Sequence, residues 1–337
     1  MSGQSAEKPN IPDGTRRRRA AIIAAIIAAM VILLGGLAAL LMFGGSKNTQ
    51  TARENEASEE EPAAAEPTPE PPEEYLTAHF IDVGQADCIL LDCCGETMLI
   101  DGGNRDDGDD VLAYLQSEGI QRLNYVLCTH PHEDHAGGLA EIVGGIDVGT
   151  GLASISESEN SYFTAFAEAL AEKDVEMRVL TVGERLTLGS ADILVLGPIS
   201  DSENPNNLSL VLRVGFEGRV FIFTGDAELD EQLEIIDRWG ESEDLDCDVL
   251  KVPHHGSNTS LEYANSDLGP TAEFPFLDYV RPEYAVISVG ENNEYGHPND
   301  YVLRLIRECG AEIYRTDESG TVRISVRGGE LSIETEK

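Results

Sequence analysis

Three histidines and two carboxylates lie within six residues, in the run Thr129-His130-Pro131-His132-Glu133-Asp134-His135. Imidazole nitrogens and carboxylate oxygens are the donors that zinc and similar divalent ions take. The run follows the apolar residues 125–128, which read as a short buried strand, so the donors sit on the loop at its end. From an extended turn His130 and His132 can point together, and Asp134 and His135 can turn toward a second point nearby. A polar surface loop is the bland alternative. It accounts poorly for a chain with seven histidines, five of which fall in this run or in the pair His254-His255.

More donors recur at strand ends. Asp226 follows an apolar run ending at Phe223. His254 and His255 follow Val249-Leu250-Lys251-Val252-Pro253, and Asp101 follows Met98-Leu99-Ile100 and precedes two glycines. Each placement alone suits an ordinary loop residue. Four hydrophobic strands that each end on a metal-type donor make a site pattern. The chemistry of such a set is metal-assisted hydrolysis, in which a bound ion lowers the pKa of water from about 15.7 toward about 7. No G-x-S-x-G elbow, P-loop or G-x-G-x-x-G fingerprint occurs, so the chemistries those motifs carry lack support.

The donors need a mixed fold to position them. Strand-like runs lie at 75–83, 88–93, 97–100, 125–128, 179–182, 193–196, 208–214, 220–223, 249–252, 284–289, 322–326 and 331–333. Val111, Leu112 and Leu115 have helical spacing, and 162–170 reads as a helix. Leu229, Leu233 and Ile236 mark another that ends near Gly240. Asn299 or Asp300 caps one carrying Val302, Leu305 and Ile306. Strands mixed with helices give an α/β or α+β class. His79 has no companion and reads as a packed strand residue.

The HxHxDH spacing, with Asp101 and Asp226, resembles the metallo-β-lactamase superfamily. Phe80-Ile81-Asp82-Val83-Gly84-Gln85-Ala86-Asp87, Leu250-Lys251-Val252-Pro253-His254-His255-Gly256-Ser257 and Tyr295-Gly296-His297-Pro298 look like the C-terminal hydrolase domain of the ComEC competence proteins and their stand-alone relatives. The resemblance covers residues 76–327 and departs at Ala86, where the motif usually has Gly. It implies a four-layer αβ/βα sandwich with the site at one edge of the sheets.

It also implies two divalent ions, zinc first and manganese second. His130 and His132 would hold one ion. Asp134 and His135 would hold the other, with His255 as a further ligand and His254 as the alternate. Asp226 would bridge the ions, and Asp101 would orient the ligand loop. Many members carry another histidine between the core run and the bridging aspartate, but no histidine occurs between His135 and His254. Asn206, with Asn207 as the alternate, takes that place, and its weaker amide oxygen favours a loosely filled or manganese-preferring position. Asp134 would also orient the attacking water. His297 would be a general acid, a substrate contact or a structural turn residue. Lys251 would offset phosphate charge or be an ordinary strand-edge lysine.

The net charge is -39, and residues 76–337 hold 16 Lys and Arg against 51 Asp and Glu, so the folded part carries -35 of it. Such acidity repels polyanions unless metals or a local basic patch reverse the field, and sequence-independent DNA binding wants the opposite sign. Ahead of the domain, Arg16 to Arg19 form a basic block, and residues 20–45 are apolar and uncharged. Roughly 20 such residues span a bilayer. The basic block predicts a cytoplasmic tail at 1–19, one transmembrane anchor at 20–45 and an extracellular domain. A cleaved signal peptide would have a shorter apolar core, about 7–15 residues. Residues 46–75 are acidic and rich in Pro and Ala, and read as an extended disordered tether to the domain at 76–337. Six cysteines without a CxxC pair read mostly as buried small hydrophobes.

Three functions fit these features. The first is phosphodiester hydrolysis, with DNA outside the cell as the substrate that the resemblance implies. The second is hydrolysis of a small ester, lactone or amide. The third is a non-catalytic metal-binding protein at the cell membrane.

Overall fold

Alternating apolar residues start the fold. In β1 (Tyr75–Phe80), Leu76, Ala78 and Phe80 are wholly buried on one face, as the period of a strand requires. The computed structural model describes residues 74–242, 245–266 and 269–337. The predicted basic tail, membrane segment and nearly all of the tether fall outside these residues. Among the described residues, no helix is long and apolar enough to cross a membrane.

The strands continue as β2 (Ile89–Cys93), β3 (Glu96–Ile100), β4 (Arg122–Cys128), β5 (Asp147–Ala153) and β6 (Met177–Val179). Next come β7 (Arg185–Leu188), β8 (Ala191–Gly197), β9 (Val211–Phe216), β10 (Arg219–Phe223) and β11 (Val249–Lys251). A small hairpin, β12 (Glu262–Ser266) and β13 (Gly269–Glu273), precedes β14 (Tyr284–Ile287), β15 (Glu312–Arg315), β16 (Val322–Arg327) and β17 (Glu330–Thr335). One sheet has the order β17-β16-β1-β2-β3-β4-β5-β6 and the other β15-β14-β11-β10-β9-β8-β7. Strands β3 to β6 run parallel in the first, and β10, β11, β14 and β15 run parallel in the second. Parallel strands put their C-terminal ends at one edge, so loops leaving them converge.

The helices are α1 (Gly108–Ser117), α2 (Glu133–Ala136), α3 (Leu139–Gly145), α4 (Ser161–Glu172), α5 (Leu229–Trp239), α6 (Pro275–Val280), α7 (Asp300–Cys309) and α8 (Thr316–Ser319). Three apolar cores define four layers. The central core joins Phe80, Leu91 and Ile324 of one sheet to Leu212, Phe221 and Phe223 of the other. A second core packs Val111, Leu139, Phe163 and Phe166 of α1, α3 and α4 on the outer face of the first sheet. A third packs Ile235, Phe276, Val302 and Ile306 of α5, α6 and α7 on the outer face of the second. Each fully buried Leu, Ile or Phe contributes about 1.5–3 kcal/mol. The result is a mixed α/β sandwich, helices outside and sheets inside.

Several elements match the sequence reading closely. Asn299 caps α7, its side chain accepting from Tyr301 N at 2.9 Å, and the helix stops at the left-handed Gly310. His79 is buried in β1 with Nδ1 2.9 Å from the Tyr114 hydroxyl. The predicted strand at 208–214 begins late, because Pro205–Leu208 forms a 3-10 turn before β9. The strand predicted at 179–182 is displaced to β6, which ends at Val179. All six cysteines are free thiols, and Cys88, Cys93, Cys128 and Cys247 are buried.

Candidate metal centre

The first group of donors leaves the end of β4. Thr129 donates twice to the buried Asp101, from its backbone N at 2.8 Å and from its hydroxyl at 2.7 Å. The other face of Asp101 holds His135, whose Nδ1 lies 2.8 Å from Oδ2. A proton on Nδ1 leaves Nε2 as the free donor, and Nε2 faces Asp226 Oδ1 at 3.2 Å and Asp134 Oδ2 at 3.9 Å. His130 is held the same way, with Nδ1 3.3 Å from the Ser209 hydroxyl. Its Nε2 faces His132 Nδ1 at 3.1 Å. The loop after Asp101 lies against the start of α3 so closely that a Cβ on Gly138 would sit 2.2 Å from Gly102 O. Only glycine permits that approach.

The second group comes from the other sheet. Asp226 is buried after β10, and its backbone N donates to Ser209 Oγ at 3.0 Å. After β11 the chain turns through three left-handed residues, His254 (φ 49°), His255 (φ 53°) and Gly256 (φ 79°). That turn swings both imidazoles inward. His255 Nδ1 donates to Ser288 O at 2.9 Å, and Nε2 faces Asp134 Oδ2 at 3.3 Å and Asp226 Oδ2 at 3.7 Å. His254 is also at the site, with Nε2 3.5 Å from Asp226 Oδ2. Its Nδ1 lies 3.0 Å from Thr259 Oγ1 and 3.3 Å from Glu228 Oε1.

The two asparagines are distinguished by their partners. Asn207 Oδ1 accepts from Glu228 N at 2.9 Å, so that oxygen is committed to the backbone. Asn206 Nδ2 donates to Glu228 Oε1 at 2.8 Å, which turns its Oδ1 away, buried and without a hydrogen bond. Glu228 also accepts from Asn204 Nδ2 at 2.7 Å. Sequence reasoning missed Glu228 as a brace for Asn206 and His254; the only signal was its place two residues after Asp226.

Lys251 does not meet the expected substrate contact. It is wholly buried beneath the site, with Nζ 2.6 Å from Asp87 Oδ2. A lysine paired there balances a buried carboxylate and has no path to a phosphate in the cleft. His297 does reach the cleft, but burial and the neighbouring His254 and His255 hold its pKa down to about 4. A ring neutral at pH 7 is a hydrogen-bonding group there and a poor general acid.

Elsewhere the carboxylates dominate. Burial alone would raise Asp134, but His135 and the hydrogen bond from His255 hold it well below the usual carboxylate range. Burial alone would lower His135, but Asp226, Asp101 and Asp134 raise it well above an ordinary imidazole. Burial and His135 push His130 well down.

The donor set fits a metal. Donor atoms of Asp134, His135, Asp226 and His255 all lie within 4.8 Å of one another. Asn206 Oδ1 is buried without a hydrogen bond, and His135 Nε2 and Asp226 Oδ1, 3.2 Å apart, are buried without forming one, so lone pairs of all three are available to a cation. The donors open on a cleft of about 400 Å³ lined by Gln85, Asn104, His132, Glu133, Asp134, Asn206, Asp226, His254, His255, Tyr295 and His297. None of these is Lys or Arg. Arg105, next to Asn104, pairs instead with Asp106 at 3.2 Å.

Comparison with known proteins agrees with this geometry. The family model described as the metallo-beta-lactamase superfamily matches residues 81–270. The chain is 33% identical over 236 residues to ComE operon protein 3 of Bacillus subtilis, covering 67% of this chain and 28% of that protein. It is 30% identical over 262 residues to competence protein ComA of Neisseria gonorrhoeae, covering 77% and 33%. It is 28% identical over 260 residues to recombination protein 2 of Haemophilus influenzae, covering 75% and 29%. The chain thus corresponds to about a third or less of these relatives' lengths. It belongs to the metallo-β-lactamase superfamily and is ComEC-like.

Proposed function

We propose that this metallo-β-lactamase-superfamily chain hydrolyses phosphodiesters at a two-ion centre, with zinc or manganese as the metal. One observation carries the reading: donor atoms of Asp134, His135, Asp226 and His255 lie within 4.8 Å of one another, and a second imidazole pair, His130 Nε2 and His132 Nδ1 at 3.1 Å, lies beside them, with the His130 and His135 rings 4.2 Å apart. Two adjacent donor sets suit two ions, which would serve the attacking and leaving oxygens of a phosphoryl displacement. The relatives named for competence and recombination support a nucleic-acid substrate over other phosphodiesters.

His130, His132 and Asn206 would hold one ion, and Asp134, His135 and His255 the other. When bound, the ions supply Lewis acidity, polarising the scissile ester and making water nucleophilic near neutral pH. The chain's own residues do the rest. Asp101, Ser209 and the Ser288 carbonyl fix the imidazoles with the donor nitrogens inward. Asp134, about one-third exposed on its side chain, is placed to orient the attacking water. His297 and Gln85, with Nε2 3.5 Å from His297 Nδ1, offer hydrogen bonds to the phosphodiester oxygens. Residues 20–45 would tether the domain to the outer face of the cell membrane.

Among the described residues no Lys or Arg lines the cleft, which favours a second reading, a small neutral ester or lactone. Both readings face one test. The purified full chain is loaded with zinc or manganese and offered single-stranded DNA, bis(p-nitrophenyl) phosphate and lactones, with EDTA and His132→Ala controls. Metal-dependent phosphodiester cleavage that disappears in the variant supports the first reading. Lactone opening without phosphodiester cleavage replaces it with the second.

A further inference from the structure

Tyr295 is exposed over 74% of its surface at the mouth of the cleft, although the turn that carries it is clamped. Asn293 Nδ2 donates to Gly290 O at 3.0 Å and to His297 O at 2.7 Å, and Asn293 Oδ1 accepts from His297 N at 3.0 Å. Gln85 Oε1 accepts from Gly290 N at 3.1 Å. A rigid turn therefore holds a large aromatic ring in water with little packing in return. Single exposed aromatics are ordinary, but this ring continues a ladder. It stacks on His297 at 5.7 Å and 26°, and His297 stacks toward His255 at 6.5 Å and 21°. The ladder leads from solvent to the donor cluster.

Electrostatics limits how a nucleotide chain could be held. Proteins that hold nucleic acid by its backbone neutralise phosphates with Lys and Arg. Among the described residues neither lines this cleft, and it sits in a domain of charge -35. Affinity for a nucleotide chain must come from another source, and ring stacking contributes about 1–3 kcal/mol per base without reading sequence.

We propose that Tyr295 is the stacking platform for one unpaired nucleobase beside the scissile phosphodiester, so that the substrate class is single-stranded nucleic acid held by rings instead of cations. The inference rests on the phosphodiesterase reading above. A base inside a duplex offers no free face to Tyr295, whereas an unpaired base does.

The test uses the metal-loaded full chain and a single-stranded dinucleotide, beside the same dinucleotide with one base removed. KM and kcat are measured for wild type, Tyr295→Ala and Tyr295→Phe at low and high salt. Tyr295→Ala should raise KM for the base-bearing substrate by about 5- to 150-fold, which is 1–3 kcal/mol at 1.4 kcal/mol per tenfold, with kcat little changed. Tyr295→Phe should restore it. Removing the base from the substrate should cost as much as removing the ring, and doing both should cost no more than either alone. KM should vary little with salt. Equal KM for Tyr295→Ala and wild type, or losses that add, overturns the stacking proposal and leaves the phosphodiesterase reading standing. Cleavage of neither substrate by metal-loaded wild type overturns that reading and the stacking role with it. Because Tyr295 is exposed, an unchanged melting temperature confirms that the variants fold.

Discussion

The two sheets supply the centre in different ways. From the first come His130, His132, Asp134 and His135, all from one stretch after β4 and shaped by a local turn around Asp101. From the second come Asn206, Asp226, His255 and His297, on four separate loops. The first group is nearly assembled by its own sequence. The second exists only when β9, β10, β11 and β14 are in register, and it relies on cross-braces at Ser209, Glu228, Ser288 and Gln85. A site can therefore be half local and half tertiary, and the two halves should fail differently.

Asp226 joins the halves, so its loss should be the most damaging. Asp226→Asn should lower kcat at least about 1,000-fold, or about 4 kcal/mol at 1.4 kcal/mol per tenfold, and should reduce bound metal measured by elemental analysis. A fully active Asp226→Asn would break the idea of a shared carboxylate. Next comes the buried pair under the site. Lys251→Met removes the ammonium from the buried Asp87, leaving it only the His135 and His255 rings at 3.8 and 3.5 Å, and should destabilise by roughly 3–5 kcal/mol, read as a lower urea midpoint. A raised KM at an unchanged midpoint would instead return Lys251 to the substrate.

Asn206 sharpens the comparison further. His132→Ala should cost more metal affinity than Asn206→Ala, for which about tenfold is expected, because an amide oxygen is the weaker donor. Metal titration of both variants decides this, and a larger loss for Asn206→Ala would reverse the assignment. The smallest effect lies behind the second group. Glu231, buried on α5, accepts from Ile199 N at 2.9 Å, and burial raises its pKa to about 8. It is protonated in the folded chain and ionised in the unfolded chain above the ordinary value of 4.5. Its contribution is therefore full below about pH 4.5 and is lost as pH rises toward 8. Glu231→Gln should melt at the wild-type temperature at pH 5 and a few degrees higher at pH 9, at about 2–4 °C per kcal/mol. Equal melting at both values would show that Glu231 ionises freely.

The same division explains what could be read from the sequence. The HxHxDH run announced itself because rare residues sat side by side after an apolar strand. The four layers were legible only through the family resemblance, since period and propensity gave no more than a mixed class. β5 escaped notice because Gly149 and Gly151 dilute its pattern. Gly151 makes room for the Leu170 side chain of α4, whose Cδ1 an added Cβ would approach to 2.3 Å. Lys251 was misjudged because its partner, Asp87, lies far away in sequence and only the fold joins them. Glu228 was missed because a glutamate ahead of a helix is common, and nothing local shows that Asn204, Asn206 and His254 converge on it.

The left-handed turn at His254, His255 and Gly256 has a consequence for the life of the folded chain. Each non-glycine residue held in that conformation costs about 1–2 kcal/mol. Its anchors, His254 N to Gly225 O at 3.2 Å and Asn299 N to Gly256 O at 2.8 Å, tie it to the end of β10 and the start of α7. The turn is thus a loaded catch: if the proposed ion is held through His255, ligation would add to the force that keeps it shut. A chelator should then open this turn and the loop leading into α7 before the run after β4, which Asp101 holds through Thr129 and His135.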